Sequence, residues 1–509
     1  MTPISASAPP LATTIDDRME NTFGPIVEFL EEIVFFAVPI GGADLPILVV
    51  WLITAGLFLT FWLRIRPFKD LKLSIGVVRG HYSRYSDPGQ VTSFQALATE
   101  LSGTVGLGNI AGVAVAISIG GPGATVWIII AGILGMAVKM SEATLAQKYR
   151  RIHQDGTVSG GPMYYLRDGL ASIGRPTLGR ILGYTFAACM MIAVMGAGNI
   201  FQANQLTAQV INTTGGADSP LAGNGWIIGL IIAVCVGIVI IGGITSIARL
   251  TSRMVPFMAI IYVGCVLVIL AANYTAIPSS FGIMFTSAFT GEGVSGGVIG
   301  VAIIGIQRAL FSNAAGVGTA GLAHSASKNR RPAEEGFVAA WEPFIDSVVI
   351  CTMTALAIIV TESYIGSESD GVALTTEAFA TVHDLFTIIL TVCIILFGFS
   401  TILAFSYYGR KTAGFVFGQS YIAERIYDCV YVVMIVIGAS VSLDTVVRFS
   451  DVMFFVVTVP NLLGIYFLAK VLRNEIFDLR RGMHTGTIPV VPKSERSTLL
   501  GKPQSERQN

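Results

Sequence analysis

Stretches of about twenty apolar residues follow one another along almost the entire chain of 509 residues. A helix needs about that length to cross the hydrocarbon core of a membrane. Only 13% of the residues are charged, against about 25% in an ordinary soluble domain. The sequence therefore predicts an all-α polytopic membrane protein with about eleven transmembrane helices, at 45–65, 94–117, 124–147, 181–211, 225–244, 254–273, 294–318, 338–361, 383–406, 424–443 and 449–471.

Lysine and arginine residues concentrate in alternate connections between these stretches. The connections at 67–93 and 148–180 are rich in them, whereas those at 213–224, 274–292 and 362–382 contain none. Basic loops stay on the cytoplasmic side of a membrane. We therefore expect an N-terminus outside, a cytoplasmic C-terminus and insertion into the plasma (inner) membrane.

The predicted spans divide the chain into an extracytoplasmic segment, one extra N-terminal span, a basic cytoplasmic connection, two five-helix units and a disordered cytoplasmic tail. In that order, the segments are 1–44, 45–66, 67–93, 94–273, 294–472 and 473–509. Within the first of them, Pro25–Ile40 mixes carboxylates with aliphatic residues, which favours a short amphipathic helix in the membrane interface.

Glycine-rich polar sequence interrupts two of the apolar stretches, LSGTVGLGNIAG at Leu101–Gly112 and LFSNAAGVGTAGLAHS at Leu310–Ser325. If the first span is set aside, the breaks fall in spans one and six of the remaining ten, which cross in opposite directions. Paired discontinuous helices of this kind are typical of an inverted repeat and mark a transporter's binding site. Unwound backbone at membrane depth has to line a cavity or be buried in protein.

Unwinding exposes carbonyl groups at the end of one half-helix and N–H groups at the start of the next. Carbonyl oxygens suit a hard cation such as Na⁺ and N–H groups suit a carboxylate, so one segment can hold both. Thr104 adds a hydroxyl and Asn109 an amide oxygen. The alternative is that the glycines only permit close helix crossing. TVGLG at Thr104–Gly108 also resembles a potassium-channel filter, but a filter needs four such loops.

Phe397, Ser400 and Thr401 share one face of a predicted span, because positions i, i+3 and i+4 are neighbours on a helix. A carbonyl and two hydroxyls on that face can complete a sodium site with the carbonyls of Ser102 and Val105. The alternative is that both hydroxyls bond to carbonyls of their own helix.

Polar and ionisable side chains inside a span are costly and indicate function. Gln202, on one face with Asn199 and Gln205, either faces a ligand or bridges helices. We expect Lys139 and Glu142 to neutralise each other. The two broken spans carry candidates for gate charges or proton sites, Glu100 and Arg308. The five histidines are dispersed and no enzyme motif occurs, so neither an enzyme nor a bound cofactor is expected.

Six segments of the chain resemble, in the same order, the signature sequences of the alanine or glycine:cation symporter family, the sodium:alanine symporters. They are GTVGLGNIAGVA, GGPGATVW, GMAVKMSEATLAQKYR, SGGPMYYL, LFSNAAGVGTAGLAHSAS and FSTILAFSYYGR. The resemblance implies a leucine-transporter-type fold with a five-plus-five inverted repeat and one extra span. It also implies sodium-coupled import of a small neutral amino acid, alanine or glycine and in some members glutamine.

Carried over position by position, the resemblance implies a substrate site and sodium sites. Substrate-binding residues would be Thr104, Gly106, Gly108, Asn109, Gln202, Ser312, Asn313, Thr401 and Phe405. Sodium ligands would be Ser102, Val105, Phe397, Ser400 and Thr401, with a second sodium site at Thr104 and Asn109. The implied partners are a neutral amino acid, Na⁺ as the coupling ion and the lipid bilayer, without nucleic acid or a further cofactor and with no oligomeric state specified.

The chain departs from the family pattern at two positions. Ala314 stands where the family's SNEAG has glutamate, and Phe405 stands where the family usually has tryptophan. Phenylalanine is smaller and lacks the indole N–H, so we expect a roomier pocket that accepts side chains larger than that of alanine. The missing carboxylate leaves proton-coupled or sodium-independent transport as an alternative. A non-transporting amino-acid-binding receptor is another.

Overall fold

The computed structural model describes residues 25, 28–40, 43–290, 296–367, 369 and 371–496. This part of the chain is 78% helical and also contains two small antiparallel sheets. Strand β1 (Ala37–Ile40) pairs with β2 (Ala43–Pro46), and β3 (Arg151–Ile152) pairs with β4 (Val158–Ser159).

The helices of six residues or more that follow strand β2 are numbered in chain order. They are α1 (Ile47–Trp62), α2 (Leu71–Val78), α3 (Ser93–Thr104), α4 (Ala111–Gly120), α5 (Ala124–Lys148), α6 (Pro176–Met195), α7 (Phe201–Thr213), α8 (Gly225–Ile240), α9 (Gly243–Ala272), α10 (Ile277–Thr290), α11 (Gly297–Asn313), α12 (Thr319–His324), α13 (Pro332–Ala339), α14 (Thr352–Val360), α15 (Gly371–Ala380), α16 (Asp384–Val416), α17 (Tyr421–Gly438) and α18 (Leu443–His484). Shorter turns of helix lie at Arg66–Lys69, Leu107–Asn109, Pro162–Tyr164, Leu170–Ser172, Gly216–Asp218, Tyr274–Ala276 and Lys493–Glu495, and π-helical turns lie at Tyr165–Gly169, Gly196–Ile200 and Phe344–Cys351.

Length and hydropathy qualify many of these helices as membrane spans. In the described part of the chain, six continuous helical stretches are long and apolar enough to cross a membrane, at 124–148, 176–213, 243–272, 332–360, 384–416 and 443–484. The helices on either side of the first break qualify together as a bent pair, and α1, α8 and α11 are shorter apolar helices. The prediction of a helical, multi-pass membrane protein is therefore confirmed.

The first broken span consists of α3, a short turn and α4. α3 begins at a capping box, in which Gln95 N–H donates to Thr92 Oγ1 (3.1 Å) and Thr92 N–H donates to Gln95 Oε1 (3.0 Å). It ends at Thr104, and the helix resumes at Leu107 with a bend of 53°. The break falls where the sequence places its closely spaced glycines, because each glycine weakens a helix by about 1 kcal/mol relative to alanine.

The second broken span consists of α11 and α12, with non-helical chain between them. Gly316 and Gly318 have φ angles of +99° and +93°, a region that glycine enters without steric cost. Ala314 lies in the left-handed region as well, at φ +50°, where a β-carbon costs about 1–2 kcal/mol. Chain geometry thus interrupts the helix where the sequence predicts it.

Large aromatic side chains fill the centre of the molecule between α6, α7, α9, α16 and α18. The fully buried ones there include Phe186, Phe201, Tyr262, Phe397, Phe454 and Phe455. Phe201 packs edge-on against Phe311 of α11, with ring centroids 4.7 Å apart. The aromatic core therefore adjoins the second break and fixes the position of the half-helix that leads into it.

The N-terminal segment differs in part from the expected amphipathic helix over Pro25–Ile40. Residues 28–34 are helical, but the last four residues of the range form strand β1. The helical prediction is wrong for those four residues, because Pro39 offers no N–H to continue a helix and the chain turns back into β2 instead.

The C-terminal helix is longer than the predicted span at 449–471. It continues to His484, because Ile476 and Leu479 remain buried on one face. The chain then runs back over the helix ends. Val491 N–H donates to His81 O (2.8 Å), and Tyr85 N–H donates to Glu495 O (3.1 Å). The expected disordered tail is thus ordered as far as residue 496, and 497–509 lie outside the described residues.

Candidate functional site

The two helix breaks lie against each other. A β-carbon added to Gly108 in the first break would lie 3.3 Å from Ser312 Cα and 3.3 Å from Phe311 Cδ1, both at the end of α11. Such distances are tighter than ordinary van der Waals contact, so a side chain at this position would push the two spans apart. Both interruptions therefore occupy one buried place in the fold.

Asp346 joins the two broken spans. Its carboxylate accepts hydrogen bonds from Asn109 Nδ2 in the first break and from Ser312 Oγ at the end of α11 (2.7 Å). Asp346 is fully buried in the π-helical turn Phe344–Cys351. It is absent from the site predicted from the sequence, although a carboxylate inside an apolar run is itself a signal of function.

Hydroxyl and carbonyl oxygens of α3 and α16 converge beside the first break. Thr401 Oγ1 lies 2.8 Å from Ser102 O and 3.0 Å from Phe397 O. Ser400 Oγ donates to Phe397 O (3.0 Å), and Ser102 Oγ lies 3.4 Å from Ser400 O. All four residues are buried. The Ser400 and Thr401 hydroxyls thus bond to a carbonyl of their own helix, which was the alternative to a sodium site. The Thr401 hydroxyl also contacts Ser102 O of the first broken span.

Val105, the fifth residue of the predicted sodium site, immediately follows α3. It is buried, and its N–H donates to Leu101 O (2.7 Å). Its backbone angles, φ −75° and ψ 77°, are no longer helical, so the chain leaves the helix at the residue whose carbonyl the prediction assigned to the ion. Thr104 Oγ1, by contrast, lies 3.2 Å from Glu100 O within its own helix.

Two N–H groups of the first break already have side-chain acceptors. Gly106 N–H donates to Asn109 Oδ1 (3.0 Å), and Leu107 N–H donates to Gln202 Oε1 (3.2 Å). A β-carbon on Gly106 would lie 2.4 Å from Thr401 Oγ1. The unwound segment is therefore closely surrounded by the residues that the sequence assigned to substrate and ion.

The remaining predicted substrate residues border the same region. Gln202 bridges elements, since its Nε2 also donates to Ala197 O (2.8 Å) in the π-helical turn before α7. Asn313 Nδ2 donates to Ser347 Oγ (2.9 Å), and its Oδ1 accepts from Ala315 N–H (2.9 Å). The Phe405 ring stacks on Phe454 with centroids 6.1 Å apart.

Lys139 and Glu142 do not pair with each other as expected. Lys139 Nζ instead forms an ion pair with Glu100 of α3, and it donates to Thr319 Oγ1 (3.0 Å) in α12. Glu142 Oε1 accepts from Gly316 N–H (2.9 Å) and Gly318 N–H (3.1 Å). The prediction is wrong because segments from elsewhere in the chain lie within reach of each side chain, which spacing along one helix does not reveal.

A chain of buried ionisable groups continues from this pair. Glu342 Oε2 lies 3.7 Å from Lys139 Nζ, and Glu342 Oε1 lies 2.6 Å from His324 Nε2. His324 Nδ1 in turn lies 2.5 Å from Glu335 Oε2. Arg308, which the sequence also places inside a span, is not part of this chain of groups. It forms an ion pair with Asp451 of α18.

Two contacting breaks in buried helices, surrounded by hydroxyl, amide and carboxylate oxygens, define a secondary transporter of the leucine-transporter type. The crystal structure of MhsT in complex with L-phenylalanine shares this fold, with a TM-score of 0.53 at 14% identity, over 76% of this chain and 98% of that chain. The chain belongs to the sodium:alanine symporter family, which it matches over residues 29–493.

Named relatives agree with this assignment. "Sodium/alanine symporter AgcS" of Methanococcus maripaludis is 37% identical over 434 residues, which are 84% of this chain and 93% of the relative. "Probable sodium/glutamine symporter GlnT" of Bacillus subtilis is 31% identical over 450 residues, 88% of this chain and 90% of the relative. The resemblance stated from the sequence motifs is therefore confirmed, and the family is one of transporters rather than enzymes.

Proposed function

We propose that the protein is a sodium-coupled symporter that imports a small neutral amino acid by alternating access. Alanine and glycine are the first candidates and glutamine the next: the names of the two relatives contain alanine and glutamine, and glycine follows from the family that the sequence motifs resemble. One observation carries the proposal. Thr401 of α16 meets the carbonyl of Ser102 beside the first break, so oxygens of two separate units surround a place that the fold family uses for coupled binding.

The roles of the site residues form part of the proposal. The coupling Na⁺ binds between α3 and α16, with oxygen ligands from Ser102, Val105, Phe397, Ser400 and Thr401. The amino-acid carboxylate binds the unwound Thr104–Asn109 segment. The side chain lies towards Gln202, Ser312, Asn313 and Phe405. A second Na⁺ binds at Thr104 and Asn109, where the buried Asp346 supplies a carboxylate.

The topology is likewise proposed from the sequence pattern. It has eleven spans, of which ten form a five-plus-five inverted repeat and one is an extra N-terminal span. The basic loops then place the N-terminus outside the cell and the C-terminus in the cytoplasm. One Na⁺ that crosses a potential of 100 mV contributes about 2.3 kcal/mol. Because 1.4 kcal/mol corresponds to a factor of ten, the voltage alone sustains about 50-fold accumulation.

The test uses the purified full chain in liposomes with labelled alanine, glycine and glutamine. Uptake is measured with an inward Na⁺ gradient, and then with K⁺ in place of Na⁺. We expect uptake only with Na⁺. Equal uptake in K⁺ would overturn the sodium coupling. Absence of uptake in both media would overturn transport itself.

A proton-coupled symporter is the second candidate. The observation that favours it is the buried chain of ionisable side chains that leads to the first break, namely Glu335, His324, Glu342, Lys139 and Glu100. Such chains inside membranes are typical of proton relays. Uptake driven by an inward pH gradient in the absence of Na⁺, and lost in Glu342→Gln, would favour this candidate over sodium coupling.

A further inference from the structure

A polar cavity of about 440 Å³ lies well away from the helix breaks. Its walls come from the β3–β4 hairpin, the start of α9 and the ends of α16 and α17 that meet there. Lys411 on its wall lies ten residues after Thr401 on the same helix, which corresponds to about 15 Å along the axis. The volume is that of an ordinary small-molecule pocket.

Two charged side chains on this cavity, Lys411 and Glu424, attract each other across it without the contact of an ion pair. Within the described part of the chain, neither the Lys411 nor the Glu424 side chain makes a hydrogen bond or an ion pair, although both line the cavity and both are half-buried. The nearest aromatic contact of Lys411 is the Tyr407 ring, 5.7 Å from Nζ. The neighbouring Arg410 differs, because it pairs with Asp428 (2.7 Å).

The other polar side chains on the wall are already engaged. Asp155 Oδ1 accepts from Thr157 N–H (3.0 Å) and Thr157 Oγ1 (2.7 Å). His153 Nε2 lies 2.9 Å from Ser159 Oγ. These contacts hold the hairpin in shape, whereas the Lys411 and Glu424 side chains have no hydrogen bond among the described residues.

A cation and a carboxylate that face one cavity without pairing suit a ligand that carries both charges. Half-buried charges gain from a partner because burial weakens their hydration. An α-amino acid presents a carboxylate and an ammonium group on adjacent atoms, so it can satisfy both walls with charge-assisted hydrogen bonds.

We propose that this cavity is a second amino-acid site, in which the substrate carboxylate binds Lys411 and its ammonium group binds Glu424. The inference rests on the proposed function. Basic residues at this end of α16 and α17 indicate the cytoplasmic side, so the site receives the amino acid after it leaves the helix breaks and before it enters the cytoplasm.

The test is equilibrium binding of labelled alanine to the purified full chain in Na⁺ buffer. We expect the wild type to bind two alanines per protein and Lys411→Gln and Glu424→Gln to bind one. Lys411→Arg keeps the positive charge and is expected to bind the second alanine again. Thr401→Ala loses the Na⁺-dependent site and keeps the one that depends on Lys411. Lys470→Gln on α18 is the matched control, because Lys470 is exposed and unpaired among the described residues. This variant is expected to bind two alanines, as the wild type does.

The outcomes separate this inference from the proposed function. One alanine per wild-type protein, lost in Thr401→Ala and unchanged in Lys411→Gln, overturns the second site and leaves the symporter proposal standing. Binding that depends on Lys411 but not on Na⁺ or Thr401 supports the second site and counts against sodium coupling. No binding of labelled alanine, glycine or glutamine overturns both.

A lipid headgroup with an amine and a phosphate carries the same pair of charges. The binding assay is therefore repeated in nanodiscs of phosphatidylglycerol, with and without phosphatidylethanolamine. An unchanged second alanine in both membranes supports the amino acid as the ligand. Loss of the second alanine on addition of phosphatidylethanolamine assigns the cavity to a lipid and overturns the inference.

Discussion

The hydroxyl of Thr401 lies 2.8 Å from the carbonyl oxygen of Ser102, although 299 positions separate the two residues in the sequence. This contact joins α16 to α3 at the point where α3 is about to unwind. The oxygens of a site formed in this way move apart when either helix tilts. Ion binding at such a site therefore depends directly on the arrangement of the two units.

Replacement of Thr401 by alanine tests the role of this hydroxyl. We expect Thr401→Ala to lower Na⁺-driven alanine uptake at least tenfold, because loss of one oxygen ligand worth about 1.4 kcal/mol has that effect. Thr401→Ser keeps the hydroxyl and serves as the control with near-normal uptake. Equal Na⁺ dependence in both variants would contradict the sodium assignment.

Asp346 gives a second prediction. Asp346→Asn removes the charge that Asn109 and Ser312 contact but keeps a side chain of the same size. Hydrogen bonds to charged groups contribute about 1.5–3 kcal/mol, so the Na⁺ concentration for half-maximal uptake should rise by about tenfold or more. Steady-state uptake over a series of Na⁺ concentrations measures it. An unaltered Na⁺ curve would remove Asp346 from the proposed second ion site.

Gly106 allows a steric test. A β-carbon there would lie 2.4 Å from Thr401 Oγ1, so Gly106→Ala should abolish uptake while the protein still inserts and remains monodisperse. Gly264→Ala is the matched control, because an added β-carbon at Gly264 meets nothing within 4 Å. Uptake by both variants at the wild-type rate would show that the first break tolerates a wider spacing than the structure has.

The Phe405 pocket gives a prediction about selectivity. Its ring packs so closely on Gly198 that a β-carbon there would lie 2.1 Å from ring atoms. Phe405→Trp places a larger ring in the same pocket, so we expect competition by glutamine to weaken more than competition by alanine. A panel of unlabelled amino acids against labelled alanine measures this, and wild-type protein that accepts only alanine and glycine would refute the wider pocket.

The ion pair between Lys139 and Glu100 leads to a stability prediction. Lys139→Met leaves a fully buried carboxylate without its cation, which costs about 3–5 kcal/mol. The double variant Lys139→Met, Glu100→Gln removes both charges and should recover most of the loss. Thermal unfolding in detergent gives the Tm values to compare. A double variant no more stable than the single one would argue that the charges act separately.

Local patterns in the sequence predict some parts of this site well. The glycines of each break lie close together within one predicted span. Phe397, Ser400 and Thr401 lie on one face of a single helix, so spacing alone determines their arrangement. The same holds for the apolar stretches, whose length and composition leave helix as the stable state in a membrane.

Contacts between separate helices cannot be predicted in this way. Lys139 has three acidic side chains near it, Glu100, Glu142 and Glu342, and its pairing with Glu100 depends on how α5 packs against α3 and α12. Asp346 lies between two spans that only tertiary structure brings together. Spacing along one helix carries no information on such partners, which is why the predicted Lys139–Glu142 pair is wrong.

The return of the chain over residues 81–85 has a consequence for biosynthesis. The segment that leads into α3 is held by Val491 and Glu495, which are synthesised after α18. Domains generally fold from the N-terminus during synthesis, but here the first broken span acquires its final support only after α18 has been inserted. The support of the first break is therefore completed late in synthesis, although its own residues from Ser102 to Asn109 are made before α5 and all the helices that follow it.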